Sequence, residues 1–130
     1  MIKIAVIEDD PIISQMYRMK FEAEGFEVAI ADNGELGVEM VETEKPDIVL
    51  LDLLMPQMNG DEALAKIRQQ KHGQKVPVLI LTNFDEQESP DSLKKLDVAG
   101  YIIKADFTPT QVVAKVRQIV KKPAGAEPLK

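Results

Sequence analysis

Two nearly unbroken apolar runs, DIVLLD at residues 47–52 and VPVLILT at residues 76–82, constrain the fold most strongly. Each run has the length of a single strand and lacks the alternation of apolar and polar residues that is typical of a strand with one solvent-exposed face. A strand of this kind is buried on both faces, as in the centre of a parallel sheet that helices cover on both sides. The two runs therefore predict an α/β protein.

Short segments rich in β-branched residues alternate with longer amphipathic segments along the whole chain. The predicted strands are residues 2–7, 26–30, 47–52, 76–82 and 101–103. The predicted helices are residues 11–25, 34–44, 61–71, 91–98 and 108–121. Such alternation predicts parallel strands joined by right-handed crossovers. Five units suit a flavodoxin-like, doubly wound, five-stranded parallel sheet of order 2-1-3-4-5 with five helices.

Local signals place the helix ends and the domain boundaries. Asp10 and Thr108 are suited to cap the first and last predicted helices, since each stands directly before a proline. Met16, Met19 and Met40 lie at helical spacing and are predicted to face the core. We expect one domain over residues 1–122. The Pro-, Gly- and Ala-containing residues 123–130 are predicted to form a flexible tail.

Charge and residue counts exclude several classes of function. The chain of 130 residues has 16 Lys and Arg against 22 Asp and Glu, a net charge of −6, which disfavours direct binding to nucleic acid. It has no cysteine and a single histidine, His72, so thiolate and His-rich metal sites are excluded. No apolar run suits a signal peptide or a membrane span. We expect a cytoplasmic protein that does not bind membranes.

Polar residues stand where the predicted strands end. Glu8 and Asp9 follow the first strand, Asp52 ends the third, Thr82 ends the fourth and Lys104 follows the fifth. The carboxyl ends of parallel strands share one edge, and doubly wound sheets bind ligands there, at the point where the strand order reverses. Three carboxylates, a hydroxyl and an ammonium group are therefore expected in one crevice.

The expected crevice suits phosphoryl chemistry. Two carboxylates ~4 Å apart repel each other by ~4 kcal/mol at an effective dielectric constant of ~20, and a hard cation such as Mg²⁺ relieves that repulsion. A carboxylate can attack phosphorus to give an aspartyl phosphate, while a metal ion and a lysine neutralise the phosphoryl oxygens. Asp52 is the best candidate nucleophile because it follows a central strand.

Four motifs in order carry a resemblance to a known family: IEDD at 7–10, DLLMPQMNG at 52–60, LT at 81–82 and YIIK at 101–104. Together they resemble the receiver domain of bacterial two-component response regulators, of the stand-alone, chemotaxis-regulator-like kind. The resemblance covers about residues 2–121.

The resemblance implies a phosphoacceptor and a metal site. Asp52 would accept a phosphoryl group from a sensor histidine kinase or a phosphotransfer protein. Mg²⁺ would be the cofactor, held by Glu8, Asp9, Asp52 and the backbone carbonyl of Leu54.

The resemblance also implies a switch. Thr82 and Lys104 would hold the phosphoryl oxygens, and Tyr101 would turn inward when Thr82 moves. The surface formed by the fourth helix, fifth strand and fifth helix would then change and bind a downstream protein. Such a chain is a signalling switch and not an enzyme, and it can form a homodimer on phosphorylation.

Some positions depart from the family pattern. Ala105 stands where a proline usually follows the lysine, and Asn83 stands where a very small residue usually follows the threonine. Leu54 and Phe84 are apolar at the positions where the family tunes hydrolysis, and neither can orient a water molecule by a side-chain hydrogen bond. We therefore predict slow loss of the phosphoryl group.

Three alternatives remain. Ala105 and Asn83 are compatible with a pseudo-receiver that binds partners without accepting phosphate. A phosphatase with an aspartate nucleophile is disfavoured, because Leu54 stands where such enzymes have a second Asp. A flavodoxin-type cofactor carrier is disfavoured too, because its phosphate-binding first loop would here be the acidic EDDP.

Overall fold

A computed structural model describes residues 2–53, 55, 58–82, 98–104 and 107–120. The strands are β1 (Lys3–Ile7), β2 (Glu27–Ala31), β3 (Ile48–Asp52), β4 (Val78–Thr82) and β5 (Gly100–Ile103). They form one parallel sheet in the order β2-β1-β3-β4-β5, which confirms the predicted fold. Every residue of β3 and β4 is buried, as their unbroken apolar runs predict.

The helices alternate with the strands. They are α1 (Pro11–Ala23), α2 (Gly34–Glu44), α3 (Gly60–Arg68) and a C-terminal helix (Pro109–Val120), with a short 3₁₀ helix at His72–Gln74. Residues 91–97 of the predicted fourth helix and the predicted tail at residues 123–130 lie outside the described residues. None of the described helices is long and apolar enough to cross a bilayer.

The two predicted helix caps are confirmed. Asp10 Oδ1 accepts hydrogen bonds from the backbone N–H groups of Ile12 and Ile13, at 2.9 and 3.3 Å. At the C-terminal helix, Thr108 Oγ1 accepts from the N–H of Gln111 at 3.2 Å. Gln111 Oε1 accepts in return from the N–H of Thr108 at 2.8 Å, so the pair forms a reciprocal capping box.

The sheet separates two apolar cores. One core lies between the sheet and helices α2 and α3, and includes Val41, Leu64 and Ile67. The other lies between the sheet and α1 with the C-terminal helix, and includes Phe21 and Val116. Because strand side chains alternate between the faces, successive residues of one strand enter different cores.

Some details of the sequence-based prediction are wrong, among them the end of the first helix, which lies at Ala23 instead of residue 25. Met16 and Met19 are 39% and 70% exposed, because α1 packs Tyr17 and Phe21 against the sheet and turns these methionines outward. Met40, by contrast, packs against the first core. The third helix ends at Arg68 instead of residue 71, and a separate 3₁₀ turn follows it.

Candidate functional site

Three carboxylates converge at the carboxyl ends of β1 and β3. One carboxylate oxygen from each of Glu8, Asp9 and Asp52 lies within 4.8 Å of the others. Glu8 and Asp52 are buried, whereas Asp9 is exposed, so the group opens to solvent on the side of Asp9. The sheet order accounts for the meeting, since β1 and β3 are direct neighbours.

Backbone hydrogen bonds hold the first acid in place. The N–H of Glu8 donates to the carbonyl of Ala31 at 3.0 Å and so continues the pairing of β1 with β2. The N–H of Asp10 donates to Glu8 Oε2 at 3.1 Å. Glu8 is therefore fixed at both its main chain and its carboxylate, just before α1 begins.

Backbone hydrogen bonds also fix the two residues that flank the loop after Asp52, Leu53 and Gly60. The N–H of Leu53 donates to the carbonyl of Leu81 at 2.9 Å, and the N–H of Gly60 donates to the carbonyl of Leu53 at 2.8 Å. A Cβ atom at Gly60 would lie only 2.5 Å from the carbonyl oxygen of Asp52. The first turn of α3 therefore packs directly on the backbone of Asp52, and only glycine allows this approach.

Lys104 is the cation of the site. Its N–H donates to the carbonyl of Thr82 at 2.8 Å, which extends the β4–β5 pairing by one residue. Its Nζ lies 3.0 Å from Glu8 Oε1 and 3.4 Å from Asp52 Oδ1. Burial lowers the pKa of Lys104, but the hydrogen bond to Glu8 and the charge of Asp52 outweigh it and raise the pKa above 10.5. The ammonium group therefore stays charged at neutral pH.

Strand alternation accounts for the three residues that form the ion pairs. Glu8, Asp52 and Lys104 each lie two positions after a residue of the core beneath α1, namely Val6, Leu50 and Ile102. Thr82, two positions after Ile80, belongs to the opposite face. Tyr101 packs on that opposite face and is aligned with Ile80 in the sheet. The predicted switch pair thus shares one face, and the ion-paired residues share the other.

The predicted switch residues differ in exposure. Thr82 is buried at the end of β4, and Tyr101 is half-buried on β5. Four other residues that the sequence analysis singled out lie outside the described residues: Leu54, Asn83, Phe84 and Ala105.

The sequence analysis missed Tyr17 of α1. This side chain is buried, and burial raises its pKa; the charge of Lys104 opposes that effect, while Glu8 and Asp52 reinforce it. The pKa of Tyr17 therefore depends on all three charged residues of the site. A hydroxyl-bearing residue on the core face of α1, seven positions after Asp10, is the signal that could have identified it.

The donor set suits a hard divalent cation. All three acids offer oxygen ligands, the type that Mg²⁺ prefers, and the exposed Asp9 leaves an open side for water and phosphate oxygens. Among the residues that the structure describes, one lysine faces the two buried acids, so the described part of the crevice carries excess negative charge. The arrangement can hold a cation beside a carboxylate that is placed to accept a phosphoryl group.

The sheet order and the acidic crevice define a doubly wound α/β protein with a carboxylate site at the point where the strand order reverses. The model of the response regulator receiver domain family matches residues 4–117, and the chain belongs to this family. It is a receiver domain, the phosphoryl-accepting switch of two-component signalling.

Individual relatives agree with this assignment. The chain is 34% identical over 126 residues to the alkaline phosphatase synthesis transcriptional regulatory protein PhoP of Bacillus subtilis, covering 97% of this chain and 51% of PhoP. It is 32% identical over 106 residues to the protein PilH of Pseudomonas aeruginosa, covering 80% of this chain and 86% of PilH. The chain thus spans about half the length of PhoP but most of PilH.

A solved structure gives the same result. The chemotaxis protein CheY4 of Vibrio cholerae superimposes with a TM-score of 0.85 at 25% sequence identity, covering 92% of this chain and 98% of that chain. The fold therefore matches a chemotaxis regulator over nearly the whole chain.

Proposed function

We propose that this domain accepts a phosphoryl group on Asp52, with Mg²⁺ as cofactor, from a sensor histidine kinase or a phosphotransfer protein. The observation that carries the proposal is the contact of Lys104 Nζ with both Glu8 and Asp52, at 3.0 and 3.4 Å. A cation is thereby already in place beside the carboxylate that would receive the phosphoryl group. The match to the receiver family supports this role.

The residues divide the chemistry between them. An oxygen of Asp52 attacks phosphorus, the bond from phosphorus to the donor nitrogen breaks, and the nitrogen leaves with the electron pair and takes up a proton. Mg²⁺, held by Glu8, Asp9, Asp52 and the carbonyl of Leu54, would neutralise charge on the phosphoryl oxygens. Lys104 exchanges its carboxylate contact for a phosphoryl oxygen.

An exposed apolar face lies beside the site and suits a protein donor. Ile12 and Met19 of α1 are 79% and 70% exposed, and with Met16 they line a shallow cavity of about 780 Å³ that extends to Pro109. α1 begins at Pro11, two residues after Asp9, and Pro11 is also one of the residues that line this cavity. A donor protein that covers it brings its phosphoryl group towards Asp52.

The output is a change in protein binding. Thr82 contacts the phosphoryl group, and Tyr101 on the same face responds. The surface expected from the predicted fourth helix, β5 and the C-terminal helix then changes its partner or pairs with a second copy. In this proposal the domain is a cytoplasmic switch, acts as no enzyme on a separate substrate, and does not bind nucleic acid or membranes directly.

The test is the intact mass of the purified protein after incubation with acetyl phosphate, with and without Mg²⁺. We expect one phosphoryl adduct that requires Mg²⁺ and is lost in Asp52→Asn. Asp32→Asn, the same change at an exposed acid outside the crevice, keeps the adduct.

Two outcomes would overturn the proposal. An adduct that persists in Asp52→Asn places the phosphoacceptor elsewhere. No adduct from either acetyl phosphate or a phosphorylated phosphotransfer protein, in a folded protein that binds Mg²⁺, identifies a pseudo-receiver.

A further inference from the structure

A second open surface lies at the edge of the sheet, away from the face of α1 described above. We call it the edge groove. It is a cavity of about 550 Å³ between the end of β2 and the outer side of α2. Its lining includes Ala29, Ala31, Leu36, Met40, Asp32 and Glu39. β2 is an edge strand of the sheet, so no described strand pairs with its outer side.

The groove forms because the side chains of β2 at this place are small, whereas those of the neighbouring helix α2 are large. Ala29 and Ala31 of β2 leave space beneath α2, and Leu36 and Met40, one helical turn apart, overhang that space. Leu36 remains 48% exposed. An exposed leucine beside a concave apolar floor is the kind of anchor that a bound segment covers.

The rim of the groove is acidic. Asp32, Glu39 and Glu44 line it, and α2 contains Glu35 and Glu42 but no basic residue. Lys3 neutralises part of the rim, with its Nζ 2.8 Å from Glu44 Oε1. No ion pair to Glu39 occurs among the described residues. The apolar floor is therefore combined with an unbalanced negative rim.

We propose that the edge groove binds a basic segment of a partner protein, with one or two apolar side chains on the floor and lysine or arginine against the rim. Charge complementarity selects this occupant. A second copy of the chain would bring a net charge of −6 to an acidic surface, and nucleic acids or anionic membranes would also be repelled. The proposal is independent of phosphorylation at Asp52.

The test is an NMR titration of the isotopically labelled full chain with a synthetic peptide of lysine and leucine, the leucines at helical spacing. We expect shift changes concentrated at residues of the edge groove. Leu36→Ser and Glu39→Lys should each weaken binding by about tenfold. A lysine-only peptide of equal charge should bind at least about tenfold more weakly, because it lacks the apolar anchor.

Matched variants make the test specific. Ile12→Ser removes an exposed aliphatic side chain from α1, and Glu62→Lys reverses an exposed charge on α3; both should leave the affinity unchanged. The proposal is overturned if these variants weaken binding as much as the groove variants, or if the shifts centre on α1. It is also overturned if the lysine-only peptide binds equally well. If the NMR signals of the groove residues shift with protein concentration in the absence of peptide, the occupant is instead a second copy of the chain.

Discussion

Lys104 Nζ lies 3.0 Å from Oε1 of Glu8, although 96 positions separate the two residues in the chain. The same ammonium group lies 3.4 Å from Asp52 Oδ1. Both carboxylates are buried, so the lysine is the counter-ion that makes their burial tolerable in the absence of a metal ion. Stability and phosphoryl chemistry therefore depend on the same side chain.

Lys104→Met should lower the free energy of unfolding and increase the response to Mg²⁺. The variant leaves Glu8 and Asp52 buried without their cation, which we expect to cost about 2 kcal/mol, because the site is partly open to water. Mg²⁺ can replace the missing positive charge, so its addition should raise Tm more in the variant than in the parent. Thermal unfolding with and without Mg²⁺ measures both effects.

Lys66→Met is the matched control, since Lys66 is exposed on α3 and outside the crevice. It should change neither the stability nor the Mg²⁺ response appreciably. An equal Mg²⁺-dependent increase in Tm for Lys104→Met and the parent would contradict the counter-ion role.

Asp9→Asn should stabilise the metal-free protein while weakening divalent binding. The exposed carboxylate of Asp9 lies within 4.8 Å of two other acids and lacks the lysine contact that they share. Removing its charge should therefore raise the free energy of unfolding by about 0.5–1 kcal/mol. Thermal unfolding and a Mg²⁺ titration measure the two changes.

Asp10→Asn is the control that distinguishes loss of metal binding by Asp9 from a general loss of negative charge near the start of α1. Asparagine caps a helix as well as aspartate does, so the hydrogen bonds to Ile12 and Ile13 can be retained while the charge is lost. Mg²⁺ affinity should change much less than in Asp9→Asn. Equal losses in the two variants would mean that overall charge, and not ligation by Asp9, controls binding.

Gly60→Ala should destabilise the domain and slow phosphorylation together. The new Cβ would lie 2.5 Å from the carbonyl oxygen of Asp52 and 2.7 Å from Cα of Leu53, so the phosphoacceptor backbone must move. We expect a loss of about 2 kcal/mol. In Gly100→Ala the added Cβ lies 3.4 Å from its nearest neighbour, so it is the milder control. If acetyl phosphate labels Gly60→Ala as fast as it labels the parent protein, the position of Gly60 does not affect phosphorylation of Asp52, which would contradict the prediction.

Local signals were enough for most of the fold. α2 has the predicted bounds because Asn33 caps it and the chain meets Pro46 soon after its end. The end of α3 was not predictable from a capping residue or a proline, because it depends on hydrogen bonds from a side chain to carbonyls of the segment that follows the helix. Arg68 Nη1 donates to the carbonyls of Gly73 and Val76, at 2.9 and 2.7 Å, and folds the chain back after the helix.

The sequence was enough to predict which residues form the site, but not which of them contact each other. The ends of strands place Glu8, Asp52 and Lys104 at one edge of the sheet, and the structure brings all three into contact. The contact of Lys104 with Glu8 depends on side-chain conformation, which the strand pattern does not specify. The orientation of α1 was equally undetermined, since Met16 and Tyr17 offer competing apolar faces.

Glu24→Gln should reduce stability only above acidic pH. Arg117 and Lys20 contact the Glu24 carboxylate at 2.8 and 3.3 Å, and the hydrogen bond from Arg117 is the main cause that lowers the pKa of Glu24 below 4.5. A lowered pKa in the folded state gives stability that is present above pH 4.5 and is lost as the pH falls through the folded value. Denaturant unfolding across this range should show parent and variant converging at low pH. The same substitution in an Arg117→Gln background should show a smaller pH-dependent difference, and an undiminished difference would rule out Arg117 as the main cause.

Slow loss of the phosphoryl group is the prediction that depends on the sequence alone. Leu54 and Phe84 cannot orient an attacking water by a side-chain hydrogen bond, so the phosphorylated domain should persist in Mg²⁺ for minutes or longer. Leu54→Asn supplies an amide at the position where the family tunes hydrolysis and should shorten the lifetime by about tenfold, the effect of ~1.4 kcal/mol in the barrier. Intact mass recorded over time after removal of acetyl phosphate measures the decay. Two results would contradict the prediction: a lifetime of only a few seconds for the phosphorylated parent protein, or a lifetime that Leu54→Asn leaves unchanged. Either result would show that water attacks the phosphoryl group without help from the side chain at position 54.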